Sequence, residues 1–163
     1  MPSTEYSQAR ARPVQKIAVK LQRIILTFWI GGIWTTGYLV VPSLFRQLSD
    51  PALAGQLAGE LFTLMNWTGL LCAALLLVVY YLLDAATWRY PVIIVIVAII
   101  SLNLFYISPE IASLKAAAAG AIEEGSELYK QFAVLHGLAS GLYLLVSALG
   151  LLLVISQAGE QKK

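Results

Sequence analysis

From Tyr90 to Pro109 the chain reads Tyr90-Pro-Val-Ile-Ile-Val-Ile-Val-Ala-Ile-Ile-Ser-Leu-Asn-Leu-Phe-Tyr-Ile-Ser-Pro109, 20 residues without a charge between Arg89 and Glu110. A charge in hydrocarbon is costly, and a transmembrane helix needs about 20 mostly apolar residues, so this run predicts a membrane span. Three more gaps of the same kind exist. Arg23 to Arg46 encloses 22 uncharged residues, Glu60 to Asp84 encloses 23, and Lys130 to Glu160 encloses 29. The spans are expected near 24–43, 65–83, 90–108 and 132–155. Lipid offers no partner to an open backbone, so each span must pair its own N–H and C=O groups, and the runs are too continuous for the alternation of a barrel strand. The expected fold is all-α, an integral membrane bundle of four transmembrane helices.

Composition agrees. Of 163 residues 59% are hydrophobic and 12% charged, far from the roughly 45–50% apolar and about 25% charged of a soluble domain. The mean hydropathy is +0.76. A soluble single domain is thereby excluded. The net charge of only +2 offers no basic surface of the kind nucleic acid needs. Cys72 is the one cysteine, lies in an apolar run, and forms no intrachain disulfide.

Basic residues orient the bundle. Arg10, Arg12, Lys16, Lys20, Arg23, Arg89, Lys162 and Lys163 fall on one side, leaving Arg46, Lys115 and Lys130 on the other. The positive-inside rule then puts both termini in the cytoplasm and turns the 44–64 and 109–131 connections outward. The first apolar run is too long for a signal-peptide core and lacks a small-x-small site, so it is expected to stay as an anchor. Residues 1–19 and 158–163 read as flexible cytoplasmic ends around a 20–157 transmembrane domain. Pro42 reads as the end of the first span. Asp50-Pro51 has the signature of a helix start, an N-cap followed by proline at the first helical position. Together with the helical period of Leu53, Leu57, Leu61 and Leu64, it predicts that the second helix begins outside the membrane. Ile111, Leu114, Ala118 and Ile122 carry a similar period, and Gly125-Ser126 marks a fresh start, so helices two, three and four are all expected to extend beyond the membrane on the outer side. The 84–89 link reads as a tight turn.

Polar residues inside spans are the candidates for chemistry. His136, Ser140, Tyr143 and Ser147 recur at i, i+4, i+7 and i+11, within a wedge of roughly 60° on one helix. Such residues serve either as interhelical hydrogen-bond glue or, for the ionisable His136, as a functional site. Ala133, Gly137, Gly141 and Ala148 form a small-residue face with a GxxxG core, and Gly31, Gly32, Thr35 and Thr36 form a second in the first span. These faces make the first and fourth spans candidates for close packing, within one chain or across a homodimer, with Gly31, Gly32, Gly137, Gly141 and Ser140 as packing residues. Depth adds another constellation. His136 lies roughly 8 Å inside the outer boundary at 1.5 Å per residue, and Asn103, Glu110, Asn66 and Glu60 approach the same level. These five are candidate ligand-binding residues of an outward-facing polar cavity.

Enzyme chemistry finds little support. One histidine and one cysteine, expected at different depths, cannot close a zinc or copper site. A bis-histidine haem within the chain is excluded as well, which leaves a single axial His136 or one shared between two chains. No HExxH, nucleophile elbow or phosphate-cradling loop exists.

The stretch Trp29-Ile-Gly-Gly-Ile-Trp-Thr-Thr-Gly-Tyr-Leu-Val-Val-Pro-Ser-Leu-Phe45, with Ala52 to Phe62 and Phe132-Ala-Val-Leu-His136-Gly, resembles a bacterial inner-membrane family of unknown function, domain of unknown function forty-one-forty-nine, related to the TMEM two-zero-five group. The resemblance runs from about Lys20 to Ile155 and implies a four-helix inner-membrane protein of Gram-negative bacteria. The Trp-x-Gly-Gly and Pro-x-Leu-Phe elements are also similar to copper-resistance-type and haem-pathway membrane proteins. The reading that results is a multi-pass inner-membrane protein, non-enzymatic and without cofactor or metal. It is expected to act in the lipid bilayer by interaction, as a homo-oligomer or as an accessory to another membrane protein, and not on nucleic acid. The alternatives are a small transporter or ligand-binding protein using the cavity around His136, and last a single-His haem or metal redox protein.

Overall fold

A computed structural model describes residues 3–118, 122 and 125–156, with side chains from Pro13 onward. Among the described residues every regular element is helical. The elements line up as four rods. The first joins α1 (Ser3–Trp34), a π-helical segment (Thr35–Val40) and α2 (Val41–Gln47), and the second is α3 (Pro51–Leu83). The third joins α4 (Arg89–Leu102), a π-helical segment (Asn103–Ile107) and α5 (Ser108–Ala117), and the fourth is α6 (Glu127–Ser156). All four are long and apolar enough to cross a membrane, as Pro13–Gln47, Pro51–Leu83, Arg89–Ala117 and Glu127–Ser156. The protein is thus an all-α, multi-pass membrane bundle.

Each span packs on its neighbours in sequence, and the first closes the ring against the fourth. This is what short links between long helices produce. The core is built at helical spacing by Leu26, Trp29, Ile30 and Ile33 from the first span and by Cys72, Ala73, Leu76 and Tyr80 from the second. Ile93, Ile96 and Ile100 join from the third, and Val146 and Leu153 from the fourth. The opposite faces leave Phe28, Leu71, Val78, Ile94, Leu144 and Ile155 exposed, as lipid contact requires.

Local chemistry explains the ends. Asp50 caps α3 by accepting from the Ala52 N–H at 2.8 Å, with Pro51 where no N–H is needed. Ser126 does the same for α6, accepting from the Tyr129 N–H at 3.0 Å. Asp84 ends α3 at φ +49°, a left-handed cap usually given to glycine, and its N–H reaches the Tyr80 and Tyr81 carbonyls. The tight turn expected at 84–89 follows. Within it Arg89 is 1% exposed, with Nη2 donating to the Ser156 carbonyl at 3.3 Å and the guanidinium 5.4 Å from the Tyr80 ring centroid. A cation at the carboxyl end of α6 is favoured by the helix dipole.

Two features differ from the sequence reading. The first helix does not stop at Pro42: the chain widens into the π segment Thr35–Val40 and carries on to Gln47. A proline lacks the N–H that would bond four residues back, and its ring crowds the Tyr38 carbonyl, so a wider turn just ahead relieves both problems. Pro109 stands in the same relation to the second π segment. At the other end the helix reaches back to Ser3, through a stretch rich in Ala, Arg, Gln and Lys, all good helix formers. The 158–163 end lies outside the described residues.

Candidate functional site

A cavity of about 20 Å³ lies where all four spans meet. Trp29 and Ile33 line it from the first span, Met65 and Asn66 from the second, Ile99, Ile100 and Asn103 from the third, and Leu142, Tyr143 and Val146 from the fourth. Its wall is apolar except for two amides, one phenol and one indole. Asn103 Oδ1 accepts from Ser108 Oγ at 2.9 Å, while Asn66 makes no side-chain hydrogen bond among the described residues. Trp29 is 1% exposed, and its Nε1–H finds no acceptor among them. The indole fits because residue 69 is glycine: a Cβ there would stand 3.0 Å from Nε1 and 2.8 Å from Ile100 Cδ1.

Both π segments border this level of the bundle. Tyr143 explains how the first is tolerated. Its hydroxyl donates to the Ile33 carbonyl, and the Gly37 N–H approaches the phenol oxygen. Those are the two groups that a regular α-turn would pair with each other, so the phenol is inserted into the ladder and keeps both satisfied. Gly37 is required for the approach, since a Cβ would collide with the Tyr143 ring. On Tyr143 itself Phe62 packs edge-on at 5.0 Å and Tyr38 at 6.5 Å.

The five candidate ligand residues divide. Asn66 and Asn103 come together in the cavity. Glu60 is exposed and accepts from Gln56 Nε2 at 3.1 Å. Glu110 is exposed as well. His136 is also exposed, with its ring stacked on Phe132 at 5.5 Å and 13°. The polar stripe of the fourth span divides in the same way: Tyr143 and Ser147 turn inward, while Ser140 spends its hydroxyl on the His136 carbonyl at 2.8 Å. Among the described residues no group of three or more His, Cys, Asp or Glu converges as a metal site would require.

The packing candidates divide too. Gly32 meets Met65 Sδ, with a Cβ placed 3.3 Å away, whereas Gly31, Gly137 and Gly141 have nothing within 4 Å of where a Cβ would stand. The first and fourth spans are neighbours, but they interlock through other glycines, Gly37 under Tyr143 and Gly150 under Ile30. Those, with Trp29 and Gly69, are the residues sequence reasoning missed. Their signal was a glycine facing a large side chain on another helix, which one chain's periodicity does not carry. Lys115 is another: its Nζ donates to the Gly55 carbonyl at 3.2 Å and lies 5.9 Å from the Phe132 ring, tying the second, third and fourth spans.

Against known proteins, a family model described as a domain of unknown function, DUF4149, matches residues 24–120. No curated protein and no solved structure matches the chain. The matched stretch contains Trp29, Gly37, Pro42, Asn66 and Asn103, and ends before the fourth span begins.

Proposed function

We propose, for a chain that belongs to the DUF4149 family of domains of unknown function, a role in membrane protein assembly: the fourth span docks against a second copy of the same chain in the bacterial inner membrane, with both termini in the cytoplasm. The observation that carries this reading is the open space at Gly137 and Gly141. Gly37, Gly69 and Gly150 each face a large side chain of another span that needs the room, whereas Gly137 and Gly141, like Gly31 and Gly59, have nothing within 4 Å of where a Cβ would stand, and they lie one turn apart on one helix. Gly137 and Gly141 make no such room inside the chain, and Ala133 and Ala148 extend the same exposed face. Helices in lipid associate by close backbone approach, because no hydrophobic force draws them together, and a small flat face permits that approach. Such a face is its own complement. It carries no charge that a different partner would have to answer, so a two-fold arrangement satisfies both copies at once.

Counting subunits of the labelled full chain in bilayers by stepwise photobleaching tests the proposal. Dimers are expected, falling to monomers in the Gly137→Leu/Gly141→Leu double variant while its thermal unfolding in detergent stays that of the parent. Monomers in the parent, or dimers that survive both substitutions, would overturn it. A one-to-one complex with some other protein, lost in the double variant, would overturn the choice of a second copy.

A further inference from the structure

We propose that the cavity between the four spans is a hydration site holding one ordered water molecule, bound by the side chains of Asn66 and Asn103; this stands independently of the assembly proposal. Size limits the guest first. The space of about 20 Å³ is enough for a water, which needs roughly 10–15 Å³ by the same measure. Charge limits it next. No Lys, Arg, His, Asp or Glu is among the lining residues, so an ion would be held in the membrane without a counter-charge. Polarity then selects a hydrogen-bonding guest over a dry void. The Asn66 amide offers two donors and an acceptor with no partner among the described residues, and Asn103 keeps its Nδ2 donors after Ser108 has taken Oδ1. The Tyr143 oxygen and the Trp29 Nε1–H are on the same wall. A water needs two to four such partners, and an apolar wall alone would offer none. Asn66 and Asn103 are half-buried, and an amide donor left without a partner at the depth of the membrane is costly.

The position gives the water a role. Asn66 is on the second span and Asn103 opens the π segment of the third, while Tyr143 already bridges the first and fourth. A shared water would extend that polar bridge across the whole ring at the level where both outward-going helices depart from regular geometry.

Water-edited solid-state NMR on the full chain in bilayers, with nitrogen-15 in Asn and Trp, reads this directly. The side-chain amides of Asn66 and Asn103 are expected to receive magnetisation from water as fast as the exposed Trp88 indole does. Filling the space by Val146→Phe is expected to abolish the transfer to both amides and leave Trp88 unchanged. No transfer to either amide in the parent would overturn the proposal, and so would transfer that persists in the filled variant. If Val146→Phe does not fold, Val146→Leu serves as the filled variant, and the parent measurement decides by itself.

Discussion

From Tyr143 to Leu153 the fourth span is knitted into the bundle, whereas from Phe132 to Gly141 it turns the same residue types outward. Gly150 is filled by Ile30 and Gly141 by nothing; Ser147 is buried and Ser140 is exposed; Tyr143 reaches across to Ile33 while His136 stacks only on Phe132, one turn along its own helix. Both halves are regular α-helix and both carry the small, hydroxyl and ring-bearing residues that pack helices in lipid. The difference comes from what stands opposite. In the half nearer the 84–89 turn, the inner half, the first span presents Ile30, Ile33 and Gly37 at matching heights. In the outer half no described residue comes within 4 Å of a Cβ at either glycine.

The largest effect that tests this contrast is Gly150→Leu. A side chain there has to displace Ile30 in a closed core, and overpacking of that kind costs about 1–3 kcal/mol, with this site at the upper end because the collision begins at Cβ. Gly141→Leu, with open space, is expected to leave the melting temperature in detergent unchanged. Equal losses from the two would erase the contrast. In bilayers the order reverses. Gly137→Leu/Gly141→Leu is expected to weaken self-association by about 1–2 kcal/mol, the scale of helix contacts in lipid, whereas in detergent its melting matches the parent. Tyr143→Phe comes next. It leaves the Ile33 carbonyl and the Gly37 N–H without the bridging hydroxyl, at a cost of about 1–2 kcal/mol. Ser140→Ala removes a hydroxyl that serves only its own backbone, and its melting temperature is expected to match the parent's.

How far the sequence was legible follows from the range of the forces involved. The spans were legible because the cost of a charge in hydrocarbon acts on each residue alone, so Arg89 and Glu110 bracket the third span whatever it packs against. The caps at Asp50 and Ser126 were legible for the same reason, being bonds to a backbone N–H two or three residues away. The passage through Pro42 was not. Whether a proline ends a helix or is absorbed in a π segment depends here on Tyr143, more than a hundred positions along the chain, taking up the loosened groups. The cavity was half legible. Equal depth grouped Asn66 and Asn103, which both line the cavity, with Glu60, Glu110 and His136, which are exposed. A neutral amide tolerates a half-buried place on the apolar wall, whereas an ionisable group is held at the exposed edge by its own hydration.

His136→Ala is the smallest expected effect and the sharpest test of how the outer half works. The imidazole is exposed, its one described ring contact is Phe132, and Phe132 retains Lys115 at 5.9 Å on loss of the histidine. Exposed substitutions away from caps and core stay within about 0.5 kcal/mol, so folded yield and melting temperature are expected to match the parent. If the outer half assembles through a flat small-residue face, the subunit count is unchanged too, because the ring adds nothing to backbone approach at Gly137 and Gly141. A variant that melts like the parent yet no longer dimerises would mean that the face is anchored by a polar contact at its rim. The contrast between the two halves would then be one between packing by shape inside the bundle and recognition by a hydrogen bond outside it.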